Sequence, residues 1–269
     1  MPTVGLEPQE HSTDHDVFSR VLCGVDGSPA GEEAVRQGAR LRSPHGRLLL
    51  VSVATPAAAA HPEAAVALEL HAASALQDAE RQAGSDAEPH LLVGDPVACL
   101  LAAARDRWAT LMAVGSHGSG RLGGMLAGSV ATAMLHRASC SVLIARPPRN
   151  PDGFPARVTV GVDGSDVSRA ALEVALELGT RLNSAVAAVI ARGATSDVQV
   201  SPDTVDAVHT DERDAVDALL DAAGTSDLLV LGARGLHGLR ALGSVSERVA
   251  HRAPTSVLVV RDAAAPSPD

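Results

Sequence analysis

Short apolar runs alternate with longer stretches of helical periodicity along the whole chain. In the first half the apolar runs cover residues 20–25, 47–54, 90–94, 110–115 and 141–145. Helical patterns follow the first four runs, at residues 29–42, 63–83, 95–107 and 128–138. Such runs are typical of buried parallel strands, and the helices between them provide the crossovers. The first half is therefore predicted to be a three-layer α/β/α domain with a five-stranded parallel sheet.

The second half repeats this order in a shorter form. Its predicted strands lie near 157–162, 184–191, 205–209, 227–232 and 256–260, and its helices near 166–181, 211–223 and 244–252. Only about a dozen residues separate its second and third strands, so the helix predicted at 63–83 has no full counterpart. Ser201, Pro202 and Asp203 indicate a turn in its place.

Three short motifs recur in the same order in the two halves, which shows that the chain contains a duplication. They are Gly-Val-Asp-Gly-Ser at 24–28 and 161–165, Gly-x-x-Gly at 115–118 and 232–235, and a Ser-to-Arg strand motif at 141–146 and 256–261. Proline and glycine are dense between the copies, as in a linker. The predicted organisation is a poorly ordered tail at 1–19, a domain at 20–147, a linker at 148–155, a second domain at 156–262 and a tail at 263–269.

Composition excludes several classes of function. The chain of 269 residues has a net charge of −10 and only 1% aromatic residues, which disfavours binding to nucleic acid. It contains no lysine, so a Walker A phosphate-binding loop is impossible. Cys23, Cys99 and Cys140 show no metal-ligand spacing and are interpreted as buried apolar residues. No segment resembles a secretion signal or a membrane-spanning helix, so we expect a soluble, cytoplasmic protein.

A glycine-rich loop follows the fourth strand of the first half. It runs from Gly115 to Ser129, where a helix is predicted to begin. Ligands of open α/β sheets bind at the carboxyl ends of strands, and a helix N-terminus attracts anions. Glycines let the backbone approach a phosphate, and Ser129 can both cap the helix and donate to a phosphate oxygen. Taken alone, the glycine content fits a flexible loop with an ordinary serine cap equally well.

The spacing in this loop resembles the ATP-binding pattern of the universal stress protein family. Gly115, Gly118, Gly128 and Ser129 match its order of glycine, two residues, glycine, nine residues, glycine and serine. The resemblance implies a Rossmann-like fold of the adenine nucleotide alpha hydrolase type. It also implies a loop that wraps the triphosphate of ATP, with Mg²⁺ held through the phosphates. The implied binding residues are Gly24, Val25, Asp26, Val53, Val114, Gly115, His117, Gly118, Gly128, Ser129, Val130 and Ala131.

Individual roles within this set have alternatives. The resemblance places Asp26 near the adenosine or its metal, although a carboxylate at a strand end can instead cap the next helix. It places Val53 beside the base, and His117 beside the ribose or a phosphate, although an exposed loop histidine needs no function. Asp95, which precedes Pro96, is interpreted as a helix cap rather than as a ligand contact.

The second half departs from the pattern at the phosphate loop. Seven residues instead of nine separate Gly235 from Gly243. The acidic residues Asp211, Glu212 and Asp214 could repel an anion if they lie nearby. We therefore predict a weaker or empty second site, formed by Asp163, Gly232, Gly235, Gly243 and Ser244.

No catalytic motif accompanies either site, because nucleophile elbows and zinc-protease motifs are absent. The other histidines considered lie scattered without metal-ligand spacing, at His61, His71, His90, His136, His209 and His251. The first hypothesis is therefore a regulatory ATP-binding protein of the stress response, at most with slow hydrolysis. The alternative is a nucleotide-free interaction scaffold that presents a surface to an unidentified protein partner. A third hypothesis is an enzyme that activates a substrate with ATP. AMP, cyclic AMP and ATP all stay candidates for the nucleotide.

The last strand of each half is short and apolar. In the family such strands, here 142–145 and 257–260, form edges that pair across a two-fold axis. An unpaired edge of this kind favours association. We expect the two halves to pair as an internal pseudo-dimer, and dimerisation of whole chains stays open.

Overall fold

The two halves of the chain form α/β domains whose strands join in one sheet. The computed structural model describes residues 17–55, 62–117, 128–149, 151–191, 200, 204–233 and 242–261. Most of the predicted N-terminal tail, the loop after His117 and the predicted turn at 201–203 lie outside the described residues.

Strands and helices alternate strictly in the first domain. Its elements are β1 (Arg20–Val25), α1 (Pro29–Leu41), β2 (Arg47–Ala54), α2 (Pro62–Ala83), β3 (Ala87–Val93), α3 (Pro96–Asp106), β4 (Leu111–Gly115), α4 (Ser129–Arg137) and β5 (Ser141–Ala145). Ser28 and Asp95 cap α1 and α3, and a proline follows each cap. The third strand begins at Ala87 rather than at 90, because Glu88 and Pro89 obscure the apolar pattern of this edge strand.

The second domain has the same order of strands. Its elements are β6 (Arg157–Gly161), α5 (Asp166–Leu182), β7 (Ala185–Ala191), β8 (Ala207–Asp211), α6 (Ala215–Ala223), β9 (Leu228–Gly232), α7 (Ser244–Arg252) and β10 (Ser256–Val260). The strand β8 covers 207–211 rather than the predicted 205–209. Helix α6 begins at Ala215 rather than at 211, since Asp214 is its N-terminal cap.

All ten strands belong to one sheet with the order β3-β2-β1-β4-β5-β10-β9-β6-β7-β8. Neighbouring strands are parallel within each domain. The domains meet at the antiparallel pair β5 and β10, in which Leu143 lies opposite Leu258. The predicted fold of two α/β domains with five-stranded parallel sheets, paired as an internal pseudo-dimer, is confirmed. Each domain covers the edge that the other would leave unpaired.

Helices cover both faces of this sheet. Helices α1, α2 and α5 pack on one face, and α3, α4, α6 and α7 pack on the other. Each of the two apolar cores contains residues of both domains, and Leu143 and Leu258 at the junction are completely buried. The domains therefore share their hydrophobic core rather than touching at a solvated interface. No helix in the described part of the chain is long and apolar enough to cross a membrane.

Candidate functional site

A cleft of about 350 Å³ lies at the carboxyl ends of β1 and β4 in the first domain. The sheet continues from β1 to β2 on one side and to β4 on the other, and the helices that follow β1 and β4 lie on opposite faces. This divergence opens a crevice between the strand ends, where ligands of open α/β sheets commonly bind. Gly24, Val25 and Asp26 line the cleft from β1, and Val114 and Gly115 line it from β4.

The repeated Gly-Val-Asp-Gly-Ser segment forms the turn from β1 into α1. Gly27 has a φ of 72°, a left-handed conformation that favours glycine. The Asp26 carboxylate accepts hydrogen bonds from the backbone N–H and the hydroxyl of Ser28, at 3.0 and 2.6 Å. Ser28 Oγ in turn accepts from the N–H of Gly31 at 3.0 Å. Asp26 therefore orients the serine that caps α1 and does not cap the helix itself.

The second copy of the segment forms the same turn from β6 into α5. Gly164 has a φ of 85°, and Asp163 accepts from the N–H and hydroxyl of Ser165, again at 3.0 and 2.6 Å. Glycine, aspartate and serine therefore have the same roles in the turn in both copies of the motif. Asp26 also lines the first cleft, and its contact with a ligand stays a prediction.

The first glycine of each loop is required by packing. A Cβ atom on Gly115 would lie 2.6 Å from the carbonyl carbon and 2.8 Å from the carbonyl oxygen of Ala30 in α1. A Cβ atom on Gly232 would lie 2.5 Å from the carbonyl oxygen of Val167 in α5. These distances are well inside van der Waals contact. The close approach of a helix to the strand end explains both glycines, whether or not a phosphate lies beside them.

Hydrogen bonds close the base of the glycine-rich loop. Ser116 N donates to Ala145 O at 3.0 Å, and Gly128 N donates to Ser116 O at 2.7 Å. The Ser116 hydroxyl lies 3.0 Å from Nδ1 of His117. Nε2 of His117 is buried, and no described residue offers it a hydrogen-bond partner. Because His117 lines the cleft, a polar ligand atom could satisfy this nitrogen.

Helix α4 begins at the cleft. Gly128 is its N-cap and Ser129 its first helical residue, so the prediction that Ser129 caps the helix is wrong. A glycine cap has no side chain that could bond to the first-turn N–H groups of the helix, and this turn contains no acidic residue. Ser129, Val130 and Ala131 all line the cleft. This end of the cleft is therefore suited to an anion.

Every residue that was predicted for the first site and that the structure describes lines this cleft. They are Gly24, Val25, Asp26, Val53, Val114, Gly115, His117, Gly128, Ser129, Val130 and Ala131. Gly118 lies outside the described residues. The cleft is also lined by four residues that were not predicted from the sequence, namely Leu68, His71 and Ala72 of α2 and Leu100 of α3. The available signal was the spacing of the three α2 residues, which places them on one face of a helix.

A second cleft, of about 290 Å³, lies at the equivalent place in the second domain. Asp163, Gly232, Gly243 and Ser244 line it, whereas Gly235 lies outside the described residues. As in the first domain, a glycine is the N-cap of the helix that begins here, and Ser244 is the first residue of α7. The two clefts therefore share one plan.

One additional acidic residue distinguishes the lining of the second cleft from that of the first. Asp214 lines it and also caps α6, accepting from Val216 N at 3.0 Å. Glu247 lies in the first turn of α7, where α4 has no acidic residue, although Glu247 does not line the cleft itself. Asp211 lies elsewhere in an ion pair with Arg213, and the hydrogen bonds from this arginine hold the pKa of Asp211 below its usual range. Of the three acidic residues suspected from the sequence, only Asp214 borders the cleft.

The cysteines are free, and two of them are buried. Burial raises the pKa of the Cys23 thiol to about 12 and that of Cys140 to about 11. Cys99 is only partly buried, so the prediction that all three are buried is wrong for this residue. Asp95 accepts from Ala98 N at 2.8 Å, which confirms its interpretation as a helix cap.

Comparison with known proteins identifies the family of this fold. A model of the universal stress protein family matches residues 18–146 and 188–261. The chain belongs to the universal stress protein family. The second match begins within β7, so it leaves out β6 and α5, which the structure nevertheless describes in the second domain. In this universal stress protein the family model therefore covers only part of the second domain.

Its relatives are similar over both domains. A universal stress protein of Mycobacterium tuberculosis, strain H37Rv, is 31% identical, with 90% of this chain and 96% of that protein covered. A universal stress protein of Mycolicibacterium smegmatis is also 31% identical, with the same coverage of 90% and 96%. The crystal structure of a universal stress protein from Archaeoglobus fulgidus has a TM-score of 0.69 at 21% identity, over 91% of this chain and 97% of that one. The similarity to these proteins thus spans both domains.

Proposed function

We propose that this universal stress protein is a regulatory nucleotide-binding protein whose first cleft holds ATP. The observation that carries the proposal is the start of α4. Its first three residues, Ser129, Val130 and Ala131, line a cleft whose other walls are largely apolar. A ligand with an anionic end and a flat apolar end fits such a cleft, and adenine nucleotides have this character.

The phosphates would lie against the start of α4. The first N–H groups of a helix have no partner within it, and the helix dipole adds about half a positive charge there. The Ser129 hydroxyl does not cap the helix and could donate to a phosphate oxygen. A phosphate or ribose oxygen would also satisfy the buried Nε2 of His117. Mg²⁺ would bind through the phosphates, since the described residues contain no cluster of three His, Cys, Asp or Glu side chains that could hold a metal ion.

The adenine base would lie between aliphatic side chains. Val53 of β2, Leu68 of α2 and Leu100 of α3 line the cleft. Leu68 is 41% exposed, so much of its apolar surface remains in contact with water. A flat ring placed against it would remove that surface from water. Because only 1% of the residues are aromatic, we expect aliphatic side chains rather than aromatic rings to contact the base.

The second cleft is proposed to bind nucleotide more weakly. Asp214 places a negative charge at the cleft, where it would repel the phosphates. Glu247 lies beside His136 rather than in the cleft, and from the first turn of α7 its charge only reduces the attraction of the helix start for an anion. The described residues between β7 and β8, at 200 and 204–206, include no helix equivalent to α2. None of these described residues lines the second cleft, so they provide no counterpart of Leu68 and His71.

A regulatory role is proposed rather than an enzymatic one, in the cytoplasm. The polar side chains of the cleft already serve the fold, because Asp26 holds Ser28 and His117 bonds to Ser116. No catalytic motif accompanies them in the sequence. Bound nucleotide would instead stabilise one arrangement of the cleft loop and change the surface offered to a protein partner.

A matched pair of serine substitutions tests the proposal. Ser129→Ala removes the hydroxyl at the first cleft, and Ser244→Ala removes the equivalent hydroxyl at the second. We expect Ser129→Ala to weaken ATP binding by roughly 1.5–3 kcal/mol, about tenfold to a hundredfold, because a hydrogen bond to a charged phosphate is lost. Ser244→Ala should leave the tight site unchanged. Calorimetric titration of Mg·ATP into the full chain measures both variants.

Equal effects of the two substitutions, or no effect of Ser129→Ala, would contradict the assignment of the first cleft. A wild-type protein that binds no nucleotide at all would favour the other hypothesis, an interaction scaffold without a nucleotide.

A further inference from the structure

A buried arginine connects the two domains. Arg146 directly follows β5 and is 5% exposed. Its guanidinium donates to Ala250 O in the last turn of α7 at 2.6 Å and to Thr255 O at 3.3 Å. Its backbone N–H donates to Ser256 Oγ at 3.0 Å. The end of a strand in the first domain is thus bonded to the end of a helix in the second.

The position of this positive charge is costly to change. Burial lowers the pKa of Arg146 to about 10, and the acceptors Ala250 O and Thr255 O are neutral carbonyl oxygens. A buried cation that loses its acceptors is strongly destabilised, and the negative end of the α7 dipole adds a further attraction. A shift at the end of β5 would therefore move α7 with it rather than break these bonds.

The residue before Arg146 is bonded to the glycine-rich loop. Ala145 O accepts from Ser116 N at 3.0 Å. Ser116 also accepts from Gly128 N at 2.7 Å, and its hydroxyl bonds to the His117 ring. Both Gly128 and His117 line the first cleft. A ligand that contacts either residue therefore acts on Ser116 and, through Ala145, on Arg146.

Helix α7 leads from Arg146 to the second cleft. Its nine residues span about 13 Å and move as one rigid element. Ala250 near its end accepts from Arg146, whereas Ser244 at its start lines the second cleft. A displacement imposed at one end of α7 therefore reaches the cleft at the other end.

An equivalent connection links the second cleft to helix α4 of the first domain. Arg261 directly follows β10, and its guanidinium donates to Leu135 O near the end of α4. Val260 O accepts from Ala233 N at 2.9 Å, and Ala233 follows Gly232 of the second cleft. Helix α4 begins at the first cleft and α7 at the second. Each domain therefore donates a hydrogen bond to the C-terminal part of the helix that begins at the other domain's cleft.

We infer that Arg146 is a positioning residue that couples the first cleft to helix α7, so that a ligand bound in one domain changes the start of α7 at the cleft of the other. The inference rests on the proposed nucleotide binding at the first cleft. A coupling of binding free energies acts in both directions, so the two clefts do not behave independently. The duplication then provides two communicating sites rather than two separate ones.

Hydrogen–deuterium exchange of the full chain, with and without saturating Mg·ATP, tests this coupling. In the wild type, ATP should slow amide exchange at the start of α4 and change exchange in α7 by about twofold or more. In Arg146→Met the slowing at α4 should persist, whereas the response of α7 should be lost. Arg146→Lys keeps the charge and one donor within reach of a carbonyl, so it should recover part of the response.

Two control variants separate coupling from a general disturbance of α7. Arg252→Met removes an exposed charge at the same end of the helix. His136→Ala removes an exposed contact between α4 and α7, in which His136 Nε2 lies 3.1 Å from Glu247 Oε1. Such exposed pairs contribute little, so both controls should keep the α7 response.

The outcomes distinguish the coupling from the nucleotide binding on which it rests. Slowing at α4 without any change in α7 of the wild type would overturn the coupling and leave nucleotide binding intact, and this comparison needs no variant. An undiminished α7 response in Arg146→Met would overturn it as well. No slowing at α4 in the wild type would refute nucleotide binding, and the coupling with it.

Discussion

Replacement of Gly115 by alanine tests why the cleft loop begins with a glycine. The added Cβ would lie 2.6 Å from the carbonyl carbon of Ala30, roughly 0.9 Å inside an ordinary carbon–carbon contact. The neighbour is the backbone of α1, which cannot rotate away as a side chain can. We therefore expect the cost of an overpacked core, about 1–3 kcal/mol, and a fall in the unfolding midpoint of roughly 2–12 °C.

Thermal unfolding of the nucleotide-free protein, followed by circular dichroism, measures this loss. Gly24→Ala is a matched control, because Gly24 lines the same cleft but its Cβ would lie 3.3 Å from a side-chain atom of Val114, which can adjust. The control should be distinctly less destabilising than Gly115→Ala. A Gly115→Ala midpoint within about 1 °C of the wild type would refute the packing argument and leave phosphate binding as the reason for this glycine.

Three further predictions follow from individual side chains. Leu68→Ser should weaken binding of ATP by ~1 kcal/mol, about fivefold by calorimetry, because apolar surface beside the base is lost; binding of inorganic triphosphate, which has no base, should not change. Cys23 and Cys140 should react with a thiol reagent at pH 8 only when the protein unfolds, because burial raises both pKa values; rapid labelling of the native protein at either position would contradict this. The hydrogen bond from Arg42 lowers the pKa of Asp86, so this pair stabilises the fold above the unfolded pKa of about 3.9 and loses its effect as the pH falls through the lower folded value. The difference in thermal unfolding midpoint between the wild type and Asp86→Asn should therefore shrink in acid. A difference that stays constant down to about pH 2 would contradict stabilisation by this ion pair.

Most of the fold could be predicted because buried strands leave a strong pattern. The bounds of β1 and β5 coincide with the apolar runs at 20–25 and 141–145, since both strands are covered on both faces. The bounds of β3 and β8 were less accurate, because these strands form the two edges of the sheet. Pro89 in β3 and His209 in β8 interrupt the apolar pattern at these edges.

The candidate site could be predicted only where it depends on local spacing. The turn at 24–28 and the start of α4 are local, and their residues line the cleft. The α2 wall depends on how that helix packs against the sheet, so the spacing of Leu68, His71 and Ala72 shows that they share a helix face but not that this face borders the cleft. The hydrogen bond between Arg146 and Ala250 joins residues 104 positions apart, so no local sequence pattern predicts it. The prediction that Ser129 caps α4 was wrong because serine and glycine are both common at the N-cap, and Gly128 occupies this position in the structure.

The number of ATP molecules bound per chain tests most directly whether the first cleft binds nucleotide and whether the second cleft binds it more weakly. Native mass spectrometry of the purified full chain identifies and counts bound nucleotide, and titration of Mg·ATP into the emptied protein ranks the affinities. One tightly bound ATP per chain, with any second site much weaker, is the expected result. Two sites of equal affinity would contradict the difference between the clefts, and no bound nucleotide would contradict the proposed function itself.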